Sequence, residues 1–413
     1  MIVYKTFPNG LRLVINKMEG MSSVSAGVMV KTGSINENAT ENGISHFIEH
    51  NLFKGTINRS AFEISDSIDR IGAAINAYTS KEVTCYYTKS TKERLNDCLD
   101  VLSDIFFNSV FEKGEMDREK GVIIEEINMS EDSPEDVCSD LLAKSYYGEE
   151  GLGRTILGPA SNIKKFSKND VESYMDKYYT ADNTVISIAG NVDIESTQEI
   201  IEKLFAEKFT RIKSAKQVEV MPSIPQHLSK TKKIEQSHIS LAMPAVNLLH
   251  PLSDALNIAN IVFGGSMSSR LFQTIREKLG LAYSVYSYLS QYKNIGTLEF
   301  YAGVNTTLRD QAFNAILDEI KNFRNGGVTD SEFTRGIEQM KSSFVFSRES
   351  TASQMQLYGR YLLFYNTPYD IEKRLERLNN VTLADVNESI EKYFTLDNFA
   401  TATVGPKKHA LIV

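Results

Sequence analysis

Cysteine is scarce in this chain of 413 residues. Cys85, Cys98 and Cys138 form no CxxC pair and leave an odd thiol in any pairing scheme. A disulfide scaffold is thereby excluded, and a reducing compartment is the expected home. No window approaches 18 consecutive apolar residues, so no membrane span is expected. The first residues, Met1 to Pro8, lack the basic and apolar regions of a secretory signal, and the chain reads as cytoplasmic. Basic excess is also missing. The 45 Lys and Arg face 53 Asp and Glu, a net charge of −8 that argues against a nucleic-acid surface. No Gly-rich phosphate loop follows any strand-like run, so a nucleotide fold gains no support.

What is present is ordinary globular composition: 42% hydrophobic, 24% charged and 10% aromatic residues. The length fits two to four domains. The chain also repeats itself. Asp170 to Asn183 (DVESYMDKYYTADN) and Asp385 to Asn398 (DVNESIEKYFTLDN) share seven of fourteen positions at an offset of 215 residues. Each reads as an amphipathic helix, a Tyr-aromatic-Thr-x-Asp-Asn turn and then a strand. Two related halves are expected, 1–212 and 233–413, joined by a linker at 213–232 where Pro222 and Pro225 interrupt any periodicity. Strand and helix patterns with short connections predict an α+β fold. Each half should carry a mainly antiparallel sheet with helices packed on one face. Met116, Met129 and Met175 fall at helical apolar positions and are expected in the core. Alternation puts Tyr86 and Tyr87 on opposite faces of one strand.

One local motif carries chemistry: His46-Phe47-Ile48-Glu49-His50. Histidines four apart on a helix share a face, so both imidazoles can reach one ion, with Zn²⁺ the natural candidate. Glu49, three residues after His46, is close enough to that face to act as a general base on an attacking water. The order is the inverted HxxEH. A third ligand has to come from elsewhere, and the helical stretch Phe111 to Asp132 offers Glu119, Glu125 and Glu126. Glu119 and Glu126 are seven apart and share a face, while Glu125 is turned about 100° away. Spacing leaves two choices, Glu126 as ligand with Glu119 behind it or the reverse.

Four segments together resemble the pitrilysin/insulinase-type inverted-zincin metallopeptidases, closest to the mitochondrial processing peptidase branch and its bacterial relatives. They are ISHFIEHNLFKGT (44–56), GAAINAYTSKEVTCYY (72–87), GVIIEEINMSEDSP (121–134) and SRLFQTIREKLGLAYSVYS (269–287). The resemblance covers nearly the whole chain. It implies one Zn²⁺ per chain held by His46, His50 and Glu126, with Glu49 as base and Glu119 as an auxiliary acidic residue in the catalytic set. It also implies two homologous halves that enclose a peptide chamber. In the second half, Leu256, Ala259 and Asn260 stand opposite the motif residues, so no second metal site is expected. Arg276 and Tyr283 match the family's substrate-contact pair, with Tyr283 placed to stabilise an oxyanion. Substrate is implied to be an extended peptide adding to the segment around Asn76 and Ala77. The activity implied is that of a zinc endopeptidase working as a homodimer. The alternative is a catalytically silent, structural subunit of the same fold, a type that typically loses part of HxxEH.

Overall fold

The computed structural model describes residues 1–211, 213–215 and 224–407. Among the described residues, period-2 runs of apolar residues become eleven strands in two sheets. The first sheet contains β1 (Ile2–Thr6), β2 (Arg12–Lys17), β3 (Ser23–Val30), β4 (Ala74–Thr79), β5 (Thr84–Thr91) and β6 (Thr184–Gly190), in the order β1-β2-β6-β3-β5-β4. The second contains β7 (His227–Thr231), β8 (Gln236–Ala245), β9 (Ala282–Gln291), β10 (Gly296–Asn305) and β11 (Ala400–Gly405), in the order β7-β11-β8-β10-β9. The second order repeats β2-β6-β3-β5-β4, sense for sense. β2–β6 and β7–β11 are parallel, and the corresponding remaining pairs are antiparallel. The α+β class and the internal duplication read from sequence are both present.

The repeat extends to helix capping. Ser167 and Asp170 form a capping box at the start of the helix Lys168–Tyr178, and Thr382 and Asp385 form one at the start of Leu383–Tyr393. Each box satisfies two backbone donors that the first helical turn would leave unpaired.

The chain forms two compact units that are not contiguous halves. One comprises Met1–Ile127, Thr155–Val218 and Val345–Tyr369; the other comprises Asn128–Arg154, Glu219–Phe344 and Asp370–Val413. Each sheet is therefore covered in part by a helix drawn from the other repeat. In the first unit, Met355, Tyr358, Leu362 and Leu363 of the helix Thr351–Tyr365 pack on Val14, Met29, Cys85 and Val185. Gly359 lets that helix lie close, because a Cβ there would come within 2.6 Å of Met29 Sδ. In the second unit, the helix Pro134–Tyr147 packs on β8 and β11, with Cys138 Sγ 3.3 Å from Ser240 Oγ.

This corrects the one-faced sheet expected from sequence. The first sheet is buried on both sides, by a large core that includes Phe47, Ile105 and Tyr174 and by the Met355 cluster opposite. Tyr86 lies in the large core, whereas Tyr87 packs against the Met355 cluster, as the alternation predicts. Met116 and Met175 are buried, but Met129 is 73% exposed. It lies seven residues after exposed Val122 on one helix, on a stripe turned to solvent. Of the stretch read as a linker, 216–223 lies outside the described residues, and His227–Thr231 forms β7. No helix among the described residues is long and apolar enough to cross a membrane. The three cysteines are free and buried.

Candidate metal centre

The HxxEH motif forms the helix Ile44–Asn51 in the first unit. Its N-terminus begins at Gly43, whose φ of +98° favours glycine. A Cβ there would also come within 2.6 Å of Leu157 O. The first amides are satisfied by Glu37, a residue the sequence reading did not single out. Its carboxylate accepts from Gly43 N at 2.8 Å and Ser45 N at 2.9 Å. Glu37 is 2% exposed, and burial pushes its pKa up against these hydrogen bonds. Ile44, Phe47 and Ile48 anchor the opposite face of the helix in the large core. Truncating a fully buried Phe such as Phe47 typically costs about 3–5 kcal/mol, which is the scale of its hold on the helix.

The outward face brings three candidate ligand atoms together. His46 Nε2 and His50 Nε2 are 3.2 Å apart, and Glu126 Oε2 lies 3.5 Å from the first and 3.4 Å from the second. Bonds of about 2.0–2.1 Å to one tetrahedral ion put donor atoms about 3.3 Å apart. These three residues form the metal-capable group among the described residues, and their geometry fits a zinc ion. Burial, helped by neighbouring His50, pulls the His46 pKa down to about 3, so it stands as the neutral imidazole a metal needs.

Glu126 is carried by the helix Lys113–Asp132, and so is Glu119. The spacing left these two interchangeable; the geometry separates them. Glu119 is 4% exposed and stands behind His50, its Oε1 2.8 Å from Nδ1 and its Oε2 2.7 Å from Lys54 Nζ. Burial works to raise the Glu119 pKa, but the contacts with His50 and Lys54 outweigh it and hold it below the usual range. His50 is balanced in the opposite sense. Burial works to lower it, and Glu119 with the nearby carboxylates raises it above the ordinary histidine value.

Glu49 lies close enough to His50 and Glu126 to feel their charges. Its Oε2 accepts from Thr79 Oγ1 at 2.5 Å, which ties it to the last residue of β4. Burial raises its pKa, and the Thr79 bond opposes that rise. Neither Thr79 nor Lys54 was singled out from sequence. Their partners, Glu49 and Glu119, lie 30 and 65 residues away along the chain, beyond the reach of any local pattern.

Among the described residues β4 is an edge strand, paired with β5 alone. Asn76 on it is exposed, and its Oδ1 accepts from Ala77 N at 2.8 Å. Arg276 and Tyr283 belong to the second unit, not to the unit that holds the histidines. There the Arg276 guanidinium stacks on the Tyr283 ring at 4.8 Å and on the Phe272 ring at 4.7 Å. Tyr283 is 78% exposed. On the matching helix Ser253–Phe263, Leu256 and Ala259 are buried and Asn260 Oδ1 accepts from Ser287 Oγ, an arrangement with no ligand set.

Residues 12–160 match the family described as insulinase (peptidase family M16), and residues 165–340 match the family described as peptidase M16 inactive domain. The chain is 41% identical to a Bacillus subtilis protein named an uncharacterized zinc protease, over 98% of each chain. A Streptomyces coelicolor protein of similar name is 34% identical, over 92% of this chain and 84% of its own. Among solved structures, a protease from Helicobacter pylori superposes with a TM-score of 0.90 at 21% identity, covering 98% of this chain and 99% of its own. A Pseudomonas fluorescens structure described as a peptidase M16 inactive domain also gives 0.90, at 19% identity over 99% of both chains. At such identities the likeness concerns the fold.

Proposed function

Because the chain belongs to the insulinase family of peptidases (family M16), we propose that it is a zinc-dependent endopeptidase of the processing-peptidase-like HxxEH type, hydrolysing extended peptides. The observation that carries this reading is the triangle of His46 Nε2, His50 Nε2 and Glu126 Oε2, with sides of 3.2–3.5 Å and Glu49 beside it. A silent subunit would lack part of this set, and none of it is missing. One zinc ion per chain would supply a Lewis acid that activates water and polarises the scissile carbonyl.

The chain's own residues perform the rest. Glu49 takes the proton of the attacking water. Thr79 occupies Oε2, so the proton is received at Oε1 and passes from there to the leaving amine. Glu119 accepts from His50 Nδ1, which keeps the Nε2 lone pair free for the metal. Peptide backbone pairs with the open edge of β4 around Asn76 and Ala77, giving affinity with little sequence preference. For the Ala77 amide to pair, the Asn76 side chain that now accepts from it moves aside. Arg276 and Tyr283 are assigned to substrate contact on the family likeness.

The test is metal analysis combined with cleavage of a quenched peptide, with and without chelator. About one zinc per chain, and cleavage that is lost on chelation and restored by zinc, is the expected result. Cleavage indifferent to chelator would reject the zinc reading.

A further inference from the structure

The Glu119 carboxylate is gripped from one side by two residues of a single short stretch. His50 Nδ1 meets Oε1 at 2.8 Å, and Lys54 Nζ, four residues further on, meets Oε2 at 2.7 Å. The stretch is itself fixed where it leaves the motif helix, since Lys54 N donates to Asn51 O at 3.2 Å. The Lys54 side chain is 33% exposed and that of Glu119 only 6%. This is not a solvated surface pair of the kind that contributes little. Three carboxylates, Glu49, Glu119 and Glu126, surround the two imidazoles. Among the described residues, Lys54 is the lysine or arginine paired with one of them at the metal group.

We propose that Lys54 is a positioning residue of the metal centre, pinning the Glu119 carboxylate in the rotamer that fixes the ring and tautomer of His50. This rests on the zinc reading above. For His50 to bind through Nε2 its proton must reside on Nδ1, and that N–H needs an acceptor held in its plane. A carboxylate oxygen left unpartnered at 4% exposure loses its solvation with no hydrogen bond to replace it. Without the lysine, Glu119 turns toward another donor or toward solvent and releases Nδ1. The histidine then loses its orientation although no ligand has changed. The lysine thus acts on the metal through two hydrogen-bonded steps, Lys54 to Glu119 and Glu119 to His50.

The experiment measures the zinc dissociation constant by competition with a chromophoric chelator. The proteins compared are wild type, Lys54→Met, Lys54→Arg, Glu119→Gln and the Lys54→Met/Glu119→Gln double variant, with the melting temperature of each metal-free protein. Lys54→Met should weaken zinc binding by about tenfold or more, within the range found for lost outer partners of a ligand. Lys54→Arg should restore most of it. In the Glu119→Gln background the Lys54→Met change should have almost no further effect, because the lysine acts only through that carboxylate. The double variant leaves no unpaired buried charge, so it reports on the coupling even if Lys54→Met folds poorly. Equal dissociation constants in wild type and Lys54→Met would overturn the proposal while leaving the zinc reading intact. A full Lys54→Met effect persisting in the Glu119→Gln background would overturn it too. Absence of zinc binding by wild type would bring down the zinc reading and this proposal together.

Discussion

His50 Nδ1 stands 2.8 Å from Glu119 Oε1, and this hydrogen bond ties the helix Ile44–Asn51 to the helix Lys113–Asp132. One helix carries the two histidines and the other carries Glu126, so the bond joins the two elements that bear the candidate ligands. Glu119 and Glu126, two helical turns apart, meet opposite nitrogens of His50; on the proposed reading one orients the histidine and the other is a ligand.

The ligand assignment predicts a contrast between adjacent glutamates. Glu126→Gln should reduce zinc retention sharply, because a neutral amide replaces a charged ligand at the triangle. Glu125→Gln should leave zinc content near the wild-type value. Equal zinc content in the two purified variants would contradict the assignment.

Thr79 should matter to rate and not to metal. Thr79→Val keeps the shape and removes the hydroxyl that accompanies Glu49 Oε2. We expect kcat to fall about tenfold with zinc content unchanged, in line with losing one group that positions a general base. Thr79→Ser should recover most of the loss. A Thr79→Val enzyme with wild-type kcat would show that Glu49 needs no such partner.

Arg276 and Tyr283 provide a test confined to the second unit. Tyr283→Phe removes one hydroxyl from an exposed ring and should lower kcat by up to about 10²-fold, as expected of a lost transition-state donor. Arg276→Ala should act mainly on KM. Steady-state cleavage of an unstructured peptide, with zinc content and melting temperature measured alongside, separates these outcomes from misfolding. Unchanged kcat and KM in both variants would remove the second unit from catalysis.

Stability should depend on pH through Glu332. Arg270 donates to both of its oxygens at 2.8 Å, and Thr329 N donates at 2.9 Å. The arginine bonds, with Thr329 adding to them, hold its pKa down to about 2. A depressed carboxylate stabilises the fold above the unfolded-state value of about 4.3 and loses that contribution as pH falls toward about 2. Partial exposure of the pair trims the full linkage value to about 1–2 kcal/mol at pH 7. Glu332→Gln should therefore lower Tm most near pH 7, and the gap to wild type should narrow by pH 3.5. A gap that is constant across that range would show that the pair does not carry charge-dependent stability.

Much of this was legible in the sequence for a physical reason. Period-3.6 and period-2 patterns are local, so the motif helix, the glutamate helix and the repeated helix–turn–strand could be read directly. The seven-residue interval of Glu119 and Glu126 likewise fixes a shared face, although it cannot say which carboxylate meets the metal. That choice depends on how two helices pack, which gave Glu119 to His50 and Lys54. Long-range partners left no periodic trace. Nothing in the helical pattern of Thr351–Tyr365 shows that it covers the first sheet, and nothing in Glu37 shows that it caps the motif helix. Met129 misled because its spacing is that of a buried stripe, while its face of the helix is left to solvent.

On the zinc reading, Glu49 is the base at a site that does not need it as a ligand. The most direct measurement compares wild type and Glu49→Gln for zinc content and for cleavage of a quenched peptide of about 15 residues. We predict equal zinc content, equal melting temperature and a rate lowered by at least about 10²-fold, since general-base assistance contributes about 10²–10⁴-fold. A variant that keeps its zinc and most of its cleavage rate would contradict the account.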